Sequence, residues 1–329
     1  MRKDLVTLKD ITKPIKNDLK LFQNEFNQAL KSKVLLIDTI SKYMTRNMGK
    51  KIRPILTILS ARLCGEPTNN TFRSAAMVEL LHVATLVHDD VVDDATLRRG
   101  KPSINSVWKN KISVLMGDFI LSKALINMIK LRDFDALEQI SKTAEELSAG
   151  EILQIEKSVK RSMNERIYFD MIGQKTASLI ATSCELGAIT TTKKKVDREA
   201  MYLYGKNLGI AFQIKDDLFD IMGSENDTGK NKGGDVKKNM LTLPIIFTKS
   251  NMPRTQYREL KILLKEKDKT KKDINRIYEM VEENGGIEYA KTKLDEYSQV
   301  AINSLNSYPE SKAKSAMIDL VSFNAQRIK

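Results

Sequence analysis

Two aspartate-rich stretches, Asp89-Asp90-Val91-Val92-Asp93-Asp94 and Asp216-Asp217-Leu218-Phe219-Asp220, interrupt apolar sequence of helical periodicity. Each puts two carboxylates at i and i+4, on one face of a helix. Negative charge this dense at the edge of an apolar core needs a cation to share it. Two such faces turned toward each other would form an all-oxygen cage for hard divalent metals, with Mg²⁺ first and Mn²⁺ as its substitute. Cations surround the clusters in the sequence. Lys50, Lys51 and Arg53 precede a proline, Arg98 and Arg99 follow the first cluster, Lys175-Thr176 interrupts an apolar helix, and Lys230 and Lys232 follow the second cluster. Forked guanidinium groups and lysine point charges suit a diphosphate, which metals can bridge to carboxylates. The chemistry implied is departure of a diphosphate with its charge neutralised. Of the two histidines, His82 and His88, neither stands in a convincing nucleophile–base set. A departing diphosphate that itself removes a proton would need no protein base.

Helices must position these groups. The chain has 329 residues, 41% hydrophobic and 29% charged, with glycine (15) and proline (7) too sparse for a turn-rich β architecture. Apolar spacing predicts helices over about 7–30, 33–47, 52–65, 71–94, 111–131, 133–157, 164–190, 196–223, 239–249, 254–266, 271–285, 287–306 and 310–327. The segments 71–94 and 196–223 are apolar on most sides, so they belong in the core and carry their aspartates at their C-terminal ends. The helix dipole disfavours carboxylates there, which strengthens the case for bound cations. No interdomain linker or repeat interrupts the pattern. The expectation is an all-α helical bundle with a central cavity, one domain over residues 1–329.

The net charge of +13 suits anionic partners, but no nucleic-acid-binding module is recognisable, and nucleic acid is set aside. Cys64 and Cys184 lie in apolar sequence and read as core residues of a reduced, cytoplasmic protein. No apolar leader follows Met1, and the most apolar windows, around 75–88 and 176–187, carry Glu79 and Glu185. Buried helices explain those windows better than membrane spans.

The chain resembles the trans-polyprenyl diphosphate synthases of the isoprenoid synthase family. The resemblance rests on Gly49-Lys50-Lys51-Ile52-Arg53-Pro54, on Glu79-Leu80-Leu81-His82 running into the first cluster, and on Leu97-Arg98-Arg99-Gly100-Lys101-Pro102. It continues through Gly117-Asp118-Phe119, Gln174-Lys175-Thr176-Ala177, Phe212-Gln213-Ile214-Lys215 leading into the second cluster, and Lys230 to Asp235. It covers residues 49–244, and the two clusters with these flanks in this order are far more specific than either alone. The resemblance implies Mg²⁺-dependent head-to-tail condensation of isopentenyl diphosphate with an allylic diphosphate, farnesyl or geranylgeranyl. It implies that Asp89, Asp93 and Asp216 ligate up to three metal ions, with Asp90, Asp217 and Asp220 assisting directly or through metal-bound water. Arg98, Lys175, Thr176, Gln213 and Lys230 would hold the allylic diphosphate, and Lys50, Arg53, His82 and Arg99 would hold isopentenyl diphosphate. It further implies a homodimer and peripheral membrane contact during product release. One departure stands out: Met240 occupies a position where relatives usually carry lysine, a charge that Lys237 or Lys238 could replace.

In this family the growing tail descends below the first cluster. The residues five and four before Asp89 are Ala84 and Thr85, small side chains that leave the way open, whereas short-chain relatives tend to place aromatic residues there. The expected product is C30–C40 or longer, for a quinone side chain, with Met77, Leu81 and Met128 as candidate floor residues. Competing readings are a farnesyl or geranylgeranyl synthase, which Ala84 opposes; a non-catalytic subunit of a heteromeric synthase, which two intact clusters oppose; and an anion-binding scaffold, which would not need paired carboxylates.

Overall fold

The structure, a computed structural model, describes residues 6–160, 162–222, 233–266 and 268–325. The chain begins with α1 (Leu8–Thr12), a 3₁₀ turn (Lys13–Ile15) and α2 (Lys16–Ala29). Pro14 in that turn divides the helix expected over 7–30. Next come α3 (Leu35–Arg46), α4 (Ile52–Cys64) and α5 (Asn69–Val92), the last carrying the first aspartate cluster at its end. A two-stranded ribbon follows, β1 (Leu97–Arg98) antiparallel to β2 (Lys101–Pro102). Its central residues, Arg99 (φ 53°) and Gly100 (φ 73°), both lie in the left-handed region, the backbone that a tight two-residue hairpin requires.

The chain continues with α6 (Ile104–Leu131), α7 (Phe134–Lys160), α8 (Glu165–Ile172), a π turn (Gly173–Ala177), α9 (Ser178–Ile189) and α10 (Lys195–Met222). Within α6 the backbone breaks at Lys109 (φ 70°), so the regular part starts close to the expected residue 111. The remaining helices are α11 (Gly234–Lys237), α12 (Leu243–Asn251), α13 (Arg254–Lys265), α14 (Lys271–Glu283), α15 (Gly286–Asn303) and α16 (Lys312–Ala325). The all-α expectation holds for the described residues, with the short ribbon as the only strands among them.

Three apolar clusters hold the bundle together, and α10 runs through all of them. Met201, Tyr204 and Leu208 join the largest, which includes Ile58, Met77, Leu80 and Ile120. Ile210, Ile214 and Leu218 pack with Tyr168, Leu243 and Leu294, and Ile221 with Val236, Ile245 and Ile277. Burying a Leu or Ile side chain contributes roughly 1.5–3 kcal/mol each, so the second aspartate cluster ends a strongly anchored helix. The sequence reading overlooked one apolar element. By length and composition α6 could cross a membrane, yet it packs along α5. Its other face leaves Val107, Leu115, Ile126 and Ile129 exposed, the last at 70%.

The two glutamates noted in apolar windows are buried to different degrees. Glu79 is buried, and burial raises its pKa against the pull of Arg53, Lys51 and Arg99. Glu185 on α9 has a buried Oε2 without a hydrogen-bond partner, and the Nε of nearby Arg198 is likewise unpartnered. Burial pushes the Glu185 carboxyl up to about 7. Between pH 4.5 and about 7 the native state therefore keeps a proton that the unfolded chain has lost, and stability falls as pH rises through that window. Glu185→Gln is expected to melt about 2 °C above the parent at pH 8 and to lose that advantage at pH 4. Calorimetric melts at the two pH values check it, and a lower melting temperature at pH 8 would mean that Arg198 compensates the charge.

Candidate active site

The first cluster splits into inward and outward residues. Asp90 is 3% exposed. It receives Arg98 Nε at 2.8 Å on each oxygen and Arg98 Nη2 at 2.7 Å. The tight hairpin is what returns Arg98 to α5, eight residues on. Asp89 and Asp93 lie on the other side, facing the mouth. Burial and then Glu151 push the Asp89 carboxyl up to about 6, with Asp93 adding, against the attraction of Lys175 and Arg98.

The second cluster divides in the same way. Asp217 is buried and accepts from Tyr168 Oη at 2.7 Å and Gln213 Nε2 at 2.9 Å. Burial, then the neighbouring Asp235, hold its pKa well above the ordinary carboxylate range. Asp220 accepts the backbone N–H of Gly234 at 2.9 Å and the Tyr278 hydroxyl at 2.8 Å. Asp216 is exposed at the mouth. Asp90, Asp217 and Asp220 therefore each have protein partners. They position Arg98, Gln213 and the chain after residue 232.

The π turn joins the two clusters. Lys175 Nζ lies 2.5 Å from Glu151 Oε2 and donates to Gln154 Oε1 at 3.0 Å, both on α7. Thr176 Oγ1 donates to Gln213 Oε1 at 2.9 Å on α10. Adjacent residues of an α-helix point about 100° apart, and the widened turn lets this pair reach two different helices; such bulges often mark functional sites. Two glycines admit the close packing. A Cβ on Gly150 would stand 2.7 Å from Lys175 N, and one on Gly209 2.6 Å from Ala177 Cα. Asp89, Glu151, Lys175, Thr176, Gln213 and Asp217 thus form one connected wall. The mouth is closed from the other side by Lys238 Nζ, 2.9 Å from Asp93 Oδ2.

Beside this wall is a cluster of cationic side chains. Arg53 Nε is buried without a hydrogen-bond partner. Burial lowers the Arg53 pKa to about 10, with Glu79 opposing and Arg99 adding, so it stays charged at neutral pH. Arg99 packs against Gly49 and donates to Asn47 O at 3.4 Å. His82 lies among Arg53, Arg99 and Arg98; burial and then those three charges hold it well below its ordinary pKa, as neutral imidazole. Lys51 donates to Gln23, and the Lys50 ammonium sits 5.1 Å from the Phe323 ring centroid. An orphaned, buried guanidinium donor among like charges calls for an anion. Lys230 lies outside the described residues.

The sequence reading missed Glu151 and Gln154. Their i, i+3 spacing on a predicted helix was the available signal, but only the fold brings them to Lys175. Among the described residues no three acidic or imidazole side chains already converge closely enough to hold a metal. The donor set nevertheless fits a hard divalent cation. Asp89, Asp93 and Asp216 offer carboxylate oxygens at the mouth, and Asp89 carries negative charge that its neighbours compensate incompletely.

The all-α bundle thus carries one acidic cluster at the end of α5, another at the end of α10, and a group of cations around Arg53. The polyprenyl synthetase family model matches residues 34–281, and the chain belongs to that family, whose members are prenyltransferases. It is 33% identical over 313 residues to heptaprenyl diphosphate synthase component 2 of Bacillus subtilis, covering 95% of this chain and 89% of that one. Among solved structures it is similar to a decaprenyl diphosphate synthase from Rhodobacter capsulatus, with TM-score 0.93, 29% identity, and coverage of 98% and 100% of the two chains. It is also similar to a polyprenyl synthase from Caulobacter crescentus complexed with calcium and isoprenyl diphosphate, with TM-score 0.92, 29% identity, and coverage of 99% and 100%.

Proposed function

We propose that this chain is a long-chain polyprenyl diphosphate synthase, joining isopentenyl diphosphate to farnesyl or geranylgeranyl diphosphate and repeating to C30–C40 or longer. The observation that carries the reading is the connected wall from Asp89 through Lys175 and Thr176 to Gln213 and Asp217, with Lys238 bridging to Asp93. It makes the two clusters sides of one site. Mg²⁺ held by Asp89, Asp93 and Asp216, or Mn²⁺ in its place, would neutralise the diphosphate as its bond to carbon breaks.

The chain's own residues do the rest. Lys175 and Arg98 present positive charge to the allylic diphosphate, and Thr176 and Gln213 fix the wall behind it. Arg53, Arg99 and neutral His82 hold the isopentenyl diphosphate, with Lys50 at the edge. His82, kept unprotonated and surrounded by cations, is a poor proton acceptor. The departing diphosphate therefore takes the proton lost when the new double bond forms.

The product length is supported by the names of the relatives and by the small Ala84 and Thr85 below the first cluster. The exposed apolar face of α6 suits a second copy of the chain. An unlike subunit is the competing outcome, since one relative is by name a component of its synthase. The proposed setting is the cytoplasm, with the long product passing to a membrane surface for quinone synthesis.

The test is purified protein with Mg²⁺, farnesyl diphosphate and labelled isopentenyl diphosphate. Label extracted into organic solvent as C30 or longer is expected. No extractable label would favour a non-catalytic subunit or a scaffold, and a C20 limit would favour the short-chain reading.

A further inference from the structure

A cavity of about 80 Å³ lies beneath the β1–β2 hairpin. Its floor is apolar: Phe26 and Leu30 of α2, Met44 of α3, and Val83, Leu86 and Val87 of α5. Asp90, one residue and about 100° around α5 from Asp89, also lines it. None of Lys50, Arg53 and His82 does, so the cavity is separate from the cation cluster around Arg53. The hairpin forms the roof, with Arg98, Arg99 and Lys101. Struts hold that roof above the floor. Tyr43 Oη donates to Pro102 O at 2.6 Å, and Lys101 Nζ to Asn47 Oδ1 at 2.6 Å. The Trp108 ring braces Tyr43 edge-on at 5.2 Å. Native interiors leave few voids larger than a water molecule, and this one is propped open from its rim. Its charges are lopsided. Asp90 is the only acid among the lining residues, and three contacts from Arg98 already engage it. Arg99 and Lys101 donate to the oxygens of Asn47, neutral acceptors that cancel neither charge. An apolar floor under two such cations suits an anion with a short hydrocarbon body. Set against the ~150 Å³ that admits benzene, the space takes a branched group of roughly four carbons. An anion reaching Arg99 from this side competes with whatever Arg99 holds on the other, where it packs over Gly49.

We propose that this cavity binds a short branched alkyl or alkenyl phosphate, with its hydrocarbon end among Phe26, Met44 and Val83 and its phosphate at Arg99 and Lys101. Occupation weakens the hold of Arg99 on isopentenyl diphosphate; that consequence, unlike the site itself, rests on the synthase reading. The test uses full-length wild type, Val83→Phe, which fills the floor, and Lys101→Met, which removes a rim charge. Calorimetry would measure binding of 3-methylbutyl phosphate and 3-methylbutyl diphosphate, and kinetics would follow KM at rising monophosphate. In the wild type, KM for isopentenyl diphosphate should rise about tenfold and level off, because coupling between two separate sites saturates. Each variant should weaken monophosphate binding about tenfold. Without ligand, its KM values should stay within about twofold of wild type and its melting temperature within about 2 °C. Whichever ligand loses more affinity in the two variants identifies the natural occupant, a second substrate molecule or a monophosphate. A KM that climbs without limit would place the monophosphate in the substrate site and overturn the proposal. So would a wild type that does not bind it, or binding that neither variant weakens; both leave the synthase reading standing. If Val83→Phe melts much lower, Lys101→Met decides alone. A wild type that binds the monophosphate, loses it in the variants and makes no polyprenyl product would keep the cavity site and sink the synthase reading.

Discussion

Replacing Asp89 with asparagine should lower kcat by about a thousandfold or more while leaving the melting temperature at pH 8 unchanged or higher. The two halves of that result have one cause. Asp89 sits at the carboxyl end of α5, where burial and then Glu151 oppose its charge, and its pKa is pushed up to about 6. The folded value exceeds the ordinary 3.8, so stability is lost as pH rises between the two and is not regained at pH 8. The charge is kept against folding because the site uses it, a common conflict between stability and activity. Asparagine keeps the shape, removes the charge and offers a much poorer metal ligand. Steady-state kinetics with excess Mg²⁺ and a thermal melt at pH 8 check both halves. A variant that melts lower yet works normally would show that Asp89 is a structural residue.

Product length should respond as strongly to a residue that never touches a phosphate. Ala84 is 2% exposed and lies five residues before Asp89, about 7.5 Å down α5. The hydroxyl of its neighbour Thr85 donates to His82 O. Ala84→Phe would add a ring at this level, and the expected product shortens from C30 or longer to C15–C20. Forcing a ring into a packed helix face costs about 1–3 kcal/mol, so a modest fall in melting temperature should accompany the change. Reversed-phase chromatography of the labelled product reads the result. An unchanged product would mean that the tail does not descend past Ala84, and a wild-type product already at C20 would refute the open route.

The sequence disclosed the helices because their apolar spacing is long and regular. It disclosed the clusters because paired carboxylates at i and i+4 are costly without a purpose. It did not disclose which aspartates face outward. The adjacent Asp89 and Asp90 look alike in sequence, and only the tight return at Arg99-Gly100, which delivers Arg98 to Asp90, separates them. Likewise, Tyr168 and Gln213 single out Asp217 through contacts made by other helices. The π turn leaves no periodic signature in five residues, so the pairing of Lys175 with Glu151 and Gln154 came only from the fold. The exposed face of α6 was passed over because scattered lysines and Asp118, itself exposed on the same side as Leu115 and Ile129, break the apolar run. Lys238 is the opposite case. The departure at Met240 was visible, with Lys237 and Lys238 as the nearby lysines, and of the two it is Lys238 that lies 2.9 Å from Asp93.

The most direct test of the account is a crystal structure grown with Mg²⁺, the thiolo analogue of farnesyl diphosphate and isopentenyl diphosphate. The predicted result is one diphosphate bridged by metal ions to Asp89 and Asp93 on one side and to Asp216 on the other, with Arg53 and Arg99 on the second substrate. Metal ions confined to one cluster, or Asp89 and Asp216 facing separate cavities with no shared ligand, would contradict it.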